Sequence, residues 1–102
     1  MLLASIRFRS QPHKRAEVIS AVDTLIERMR RTTGCSGSRL LTEAEDENAL
    51  TVISEWRSIE DVESFLQSRD FQVFKGIRML LRGEPVLVFD QLQGRVTRVL
   101  HA

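Results

Sequence analysis

Between Ala49 and Leu66 the hydrophobic period of the chain switches abruptly, and this limits the folds open to it more than any other stretch. Ala49-Leu50-Thr51-Val52-Ile53-Ser54-Glu55 is rich in β-branched residues and follows the acidic, turn-like Glu45-Asp46-Glu47-Asn48, which predicts a strand. From Ile59 onward Val62, Phe65 and Leu66 recur at helical spacing. Ser58 stands three residues ahead of Asp61, a capping-box pattern in which Asp replaces the usual Glu or Gln. The only Trp, Trp56, falls between the two periods, where its ring either plugs the end of a sheet or lines a pocket.

The flanking segments repeat the alternation of strand and helix. Leu2 to Arg9 places Leu2, Ala4, Ile6 and Phe8 opposite Leu3, Ser5, Arg7 and Arg9, the pattern of a half-buried strand. Pro12 suits a first helical turn, and Val18, Ile19, Val22, Leu25, Ile26 and Met29 then form one apolar stripe that ends at Gly34, a natural left-handed cap. Ser38 to Ala44 reads as a weaker strand, paired as a hairpin with Ala49 to Glu55. The second helical region extends to about Leu81. Ser68-Arg69-Asp70 interrupts it with new capping residues, ahead of a helix carrying Phe71, Phe74, Ile77, Leu80 and Leu81. Gly83 and Pro85 stop it, and the unbroken apolar run Val86-Leu87-Val88-Phe89 predicts a strand buried on both faces.

Strand, helix, strand, strand, helix, strand is the split β-α-β order (βαββαβ) of ferredoxin-like α+β folds, in which right-handed crossovers set both helices on one face of an antiparallel sheet. The other face is then bare. Strands three and four carry apolar side chains on both parities: Leu50 and Val52 against Ile53, Val86 and Val88 against Leu87 and Phe89. Leaving such side chains wet forgoes on the order of 1.5–3 kcal/mol each. A second copy packed sheet to sheet, a homodimer, is the simplest cover.

A chain of 102 residues is expected to make one domain (1–102), with its core at about 2–92 and a C-terminal arm at 93–102 that forms a short strand or reaches a neighbour. The formal net charge of +1 gives no field that recruits nucleic acid or a membrane, and Arg28, Arg30 and Arg31 suit a helix C-terminus. The single cysteine, Cys35, excludes an internal disulfide and reads as a small buried hydrophobe in a reducing, cytoplasmic setting. Met1 to Arg7 is too short and too soon charged for a signal peptide or a membrane span. No His, Cys, Asp or Glu grouping has metal-ligand spacing, so no metal is expected.

The element order, Gly34-Cys35 after the first helix, Glu55-Trp56-Arg57-Ser58 at the end of strand three and Phe65-Leu66-Gln67-Ser68-Arg69-Asp70-Phe71 together resemble the antibiotic biosynthesis monooxygenase family of dimeric α+β barrels. The resemblance runs from about Leu3 to Phe89. It implies a cofactor-independent monooxygenase that takes a quinol or polycyclic phenol and O₂, the substrate itself reducing O₂ after losing a proton. It also implies a substrate pocket lined by Trp56, Phe65, Phe74 and Arg78, with Trp56 stacking and donating its N–H and Arg78 anchoring an enolate. His13, at a helix start beside Lys14 and Arg15, serves as a general base only if the fold carries it to the pocket mouth. The chain departs from the family's patterns in having no Tyr, in keeping Asn48 within a turn, and in offering Arg7, Phe65 and Lys75 where haem-degrading members use Asn, Trp and His. The alternative reading is therefore a non-catalytic small-ligand-binding or stress-related barrel.

Overall fold

The computed structural model describes residues 1–100. Strand β1 (Leu2–Arg9) leads through a 3₁₀ turn at Pro12–Lys14 into helix α1 (Arg15–Arg30), followed by β2 (Cys35–Thr42) and β3 (Ala49–Trp56). Helices α2 (Ile59–Leu66) and α3 (Arg69–Lys75), a 3₁₀ turn at Gly76–Leu80 and strand β4 (Val86–Gln91) complete the chain. All pairings are antiparallel in the order β2-β3-β1-β4, so this is the expected ferredoxin-like α+β fold with β1 and β3 inside the sheet.

Alternation decides which side chains meet the helices. Leu2, Ala4, Ile6 and Phe8 of β1 stand opposite Trp56, Ser54, Val52 and Leu50 of β3, and all eight are buried beneath the helices. From above, α1 contributes the predicted stripe of Val18, Val22, Leu25, Ile26 and Met29. Each later helix begins at a serine. The Ser58 Oγ accepts the backbone N–H of Asp61 at 3.3 Å, and the Ser68 Oγ accepts that of Phe71 at 3.3 Å. The Asp61 carboxylate does not reach back to the backbone as in the usual capping box. Its Oδ2 accepts the Ser58 hydroxyl at 3.1 Å and the Arg57 Nε–H at 3.0 Å.

Several boundaries differ from the sequence reading for identifiable reasons. β2 begins at Cys35, ahead of the expected Ser38, because a register shift between Cys35 and Gly37 lets the weakly patterned Ser-Gly stretch join the ladder with β3. The helix expected to run to Leu81 relaxes to a 3₁₀ turn at Gly76 and ends at Leu80. The end of β1 captures that backbone: the Gln11 N–H donates to the Leu80 carbonyl at 2.9 Å, the Gln11 Nε2–H to the Met79 carbonyl at 3.0 Å, and the Arg82 N–H to the Arg9 carbonyl at 2.7 Å.

Strand β4 is not buried on both faces within one chain. It is an edge strand: Leu87, on the helix side, is 42% exposed because the roof is thin over this edge, and Val86, on the helix-free face, is 54% exposed because nothing among the described residues covers it. The helix-free face is also less uniformly apolar than its sequence suggests. Leu3, Ile53, Val86, Val88 and Leu41 share it with Arg7, Arg39, Thr51 and Glu55. Beyond β4 the Leu92 N–H donates to the Met1 carbonyl at 2.9 Å, and Arg95 pairs with Glu55 at 3.0 Å, so the expected arm starts across one end of this open face. It forms no strand among the described residues, and His101 and Ala102 lie outside them.

Candidate ligand cavity

A cavity of about 250 Å³ lies between the sheet and the stretch formed by α3 and the following 3₁₀ turn, at the β4 edge. Ile6 and Leu87 form its floor. Phe71, Phe74 and Ile77 form its roof, and Leu81 and Pro85 close the far side. Its charged members are Lys75, Arg78 and Glu84, all on exposed positions. Phe71, Phe74, Lys75 and Arg78 follow i, i+3, i+4, i+7, one helical face, and that spacing brings both aromatics and both cations to the same space.

Aromatic contacts continue away from the cavity in an unbroken row. Phe8 and Phe74 meet edge to face at 6.2 Å between centroids, Phe74 and Phe71 lie 5.8 Å apart, Phe71 and Phe65 6.1 Å, and Phe65 and Trp56 5.7 Å. The row stiffens the inner wall, but of its five rings only Phe71 and Phe74 reach the cavity.

Of the residues singled out from sequence, Phe74 and Arg78 line this cavity. Trp56 does not: it is fully buried, and its indole N–H donates to the Ser54 Oγ at 2.8 Å, leaving nothing to offer a ligand. The reason is its parity in β3, which aims the ring at the helices from an interior strand, while the cavity opens over the β4 edge. Phe65 is likewise core, 3% exposed between Trp56 and Phe71. His13 sits exposed on the turn before α1, away from the cavity lining. Arg78 is an anchor already in use: its Nη2 donates to Glu84 Oε1 at 2.9 Å and Oε2 at 3.2 Å. Lys75, considered from sequence only as a residue standing where other enzymes use His, has no carboxylate partner among the described residues.

Cys35 is half-buried at the other end of the sheet, its Sγ–H donating to the Gly37 carbonyl at 3.4 Å. Burial pushes its thiol pKa up, which makes it a poor nucleophile at neutral pH. Among the described residues no group of three or more His, Cys, Asp or Glu is placed to hold a metal ion, and no helix is long and apolar enough to cross a membrane.

A four-stranded antiparallel sheet roofed on one face, with an apolar, aromatic-walled cavity between sheet and helices, defines an α+β domain of the ferredoxin-like class. Residues 1–76 match the family described as antibiotic biosynthesis monooxygenase, and the chain belongs to that family. A crystal structure named as an antibiotic biosynthesis monooxygenase superposes with a TM-score of 0.85 at 18% identity, covering 92% of this chain and 100% of the other. A Mycobacterium tuberculosis protein does so with a TM-score of 0.86 at 18% identity, covering 94% and 98%. A conserved Bacteroides thetaiotaomicron protein of unknown function gives a TM-score of 0.81 at 16% identity, covering 89% and 96%. At these identities the likeness is one of fold. No curated protein matches the sequence.

Proposed function

We propose that the cavity binds a quinol or a phenol of one or two rings and that the protein oxidises it with O₂ without a cofactor, as a monooxygenase. The observation that carries this reading is the apolar, Phe-walled cavity in a chain of this family. Its volume lies just under the roughly 300–1,000 Å³ of drug-sized sites, which favours a small aromatic over a larger polycycle. Phe71 and Phe74 hold the ring and exclude water. The ligand's proton leaves through the open, charged rim, and the electron-rich anion reduces O₂ directly. For a quinol the balance is quinol plus O₂ giving hydroxyquinone plus water: one oxygen atom enters the ring, the other leaves as water, and the substrate supplies all four electrons.

The test is oxygen uptake by purified protein with simple benzoquinols and naphthoquinols. One O₂ consumed per quinol, with hydroxyquinone formed, is expected. Phe74→Ala should lower kcat/KM about tenfold, since an unheld ring loses the orientation on which the rate depends. A second reading rests on a specific observation: among the described residues no His, Tyr, Asn or Cys lines the cavity, so none of them is placed inside it to relay a proton. Tight ligand binding without oxygen uptake would favour this non-catalytic role.

The open face supports a homodimer packed sheet to sheet. Ile53 and Val88 flank the buried Ser5 in one row across the sheet, and each half-covered apolar side chain forgoes on the order of 1 kcal/mol until a partner covers it. Sedimentation equilibrium at tens of micromolar should give a dimer for the native chain and a monomer for Val88→Arg, which would bury an unpaired charge at the interface. A native monomer would end this part of the proposal.

A further inference from the structure

The rim of the cavity carries two cations and one carboxylate, and their pairing is unequal. Glu84 directs both oxygens to the Arg78 guanidinium, so a ligand that takes Arg78 must first displace Glu84. Lys75 has no such competitor. The carboxylate on its own helix, Asp70, faces Arg28 of α1 at 4.0 Å, and among the described residues no carboxylate forms an ion pair with Lys75, Glu84 on the same rim being turned to Arg78. Phe71 lies one turn before Lys75 on the same helical face, and both line the cavity, so an aromatic body held there can present a polar substituent toward the ammonium.

Resting on the cavity reading above, we infer that Lys75, and not Arg78, is the anion-binding group, and that the site selects a monoanion with a one- or two-ring apolar body. A neutral ligand leaves the Lys75 charge unused. A dianion brings a second negative charge that only the Glu84-engaged Arg78 is left to meet, in a cavity whose remaining lining is apolar. A single anionic oxygen group, such as an aromatic carboxylate or a stabilised phenolate or enolate, matches the one uncompensated charge.

Calorimetric titration at pH 7 with three probes of one skeleton tests this: 2-naphthol, which is neutral there, 2-naphthoate, and naphthalene-2,6-dicarboxylate. The native protein is expected to bind naphthoate about fivefold more tightly than naphthol, the upper range for a solvent-reachable ion pair, and the dicarboxylate no better than naphthol. Raising the salt concentration should shrink the naphthoate advantage. Lys75→Gln should abolish that advantage while leaving naphthol affinity within about twofold. Glu84→Gln, by releasing Arg78, should bring the dicarboxylate up toward naphthoate. Equal affinity for naphthol and naphthoate in the native protein, or an equal loss of both in Lys75→Gln, overturns the assignment and leaves the cavity reading standing. Failure of all three probes to bind overturns both.

Discussion

Trp56→Ala is expected to cost about 3–5 kcal/mol of stability, the range for removing a fully buried large aromatic, and to lower Tm by roughly 15–30 °C for a domain of this size. The ring is 0% exposed, packs on Phe65 at 5.7 Å and closes the end of the sheet beside Met1, Gly34 and Cys35, so its removal would leave a large cavity in the core. Its removal also takes away the 2.8 Å donor to Ser54. Because total stabilities of such domains run to about 5–15 kcal/mol, the variant should lie near the edge of folding at 37 °C. Trp56→Phe keeps most of the packing, and its ligand affinity should match the native value within about twofold. Thermal melts and ligand titration together check this: a Trp56→Ala protein with unchanged Tm but lost ligand binding would move the tryptophan from the core to the site.

Gly34→Ala should be nearly as damaging, at about 2–4 kcal/mol, though it adds only a methyl group. Gly34 has φ +92°, a region that costs an L-residue of order 1 kcal/mol or more. The added Cβ would also collide with the Asp61 side chain. Asp61 cannot yield freely, since its carboxylate holds the Ser58 hydroxyl and Arg57, and its own N–H is the one that Ser58 caps. The Gly34 carbonyl meanwhile accepts the Arg57 N–H at 2.7 Å, tying the loop after α1 to the start of α2. Urea denaturation should show the midpoint shift with little change in slope. The same substitution at Gly76, where a Cβ would meet nothing, is the matched control and should be neutral or mildly stabilising. Equal effects at the two glycines would refute the argument.

Gly34 also shows how much a sequence alone can disclose. Its place after an amphipathic stripe marks it as a left-handed cap; the structure gives it the left-handed φ but not the cap, because α1 already closes at Arg31 and Gly34 instead turns the chain into β2. That Asp61 sits directly against it was not legible, because the two residues lie far apart in sequence and meet only when β3 brings the start of α2 beside the loop that leads into β2. The serines at 58 and 68 were readable as helix starts for the opposite reason: a cap is a contact within three residues.

The division in the site follows the same line. Local periodicity determined the element order, the ferredoxin-like topology, the core stripe of α1 and the one helical face that carries Phe71, Phe74, Lys75 and Arg78, since each depends only on residues a few positions apart. Tertiary packing decided that α3 and its 3₁₀ turn under-roof the β4 edge and leave a cavity there, while interior β3 keeps Trp56 sealed. It also decided that Glu84, six residues along and across a turn, engages Arg78, while Lys75 has no ion-pair partner among the described residues. Spacing ranks side chains by the face they share, but which of those faces is left partly empty depends on how helices of unequal length close over a sheet, and no short-range pattern carries that.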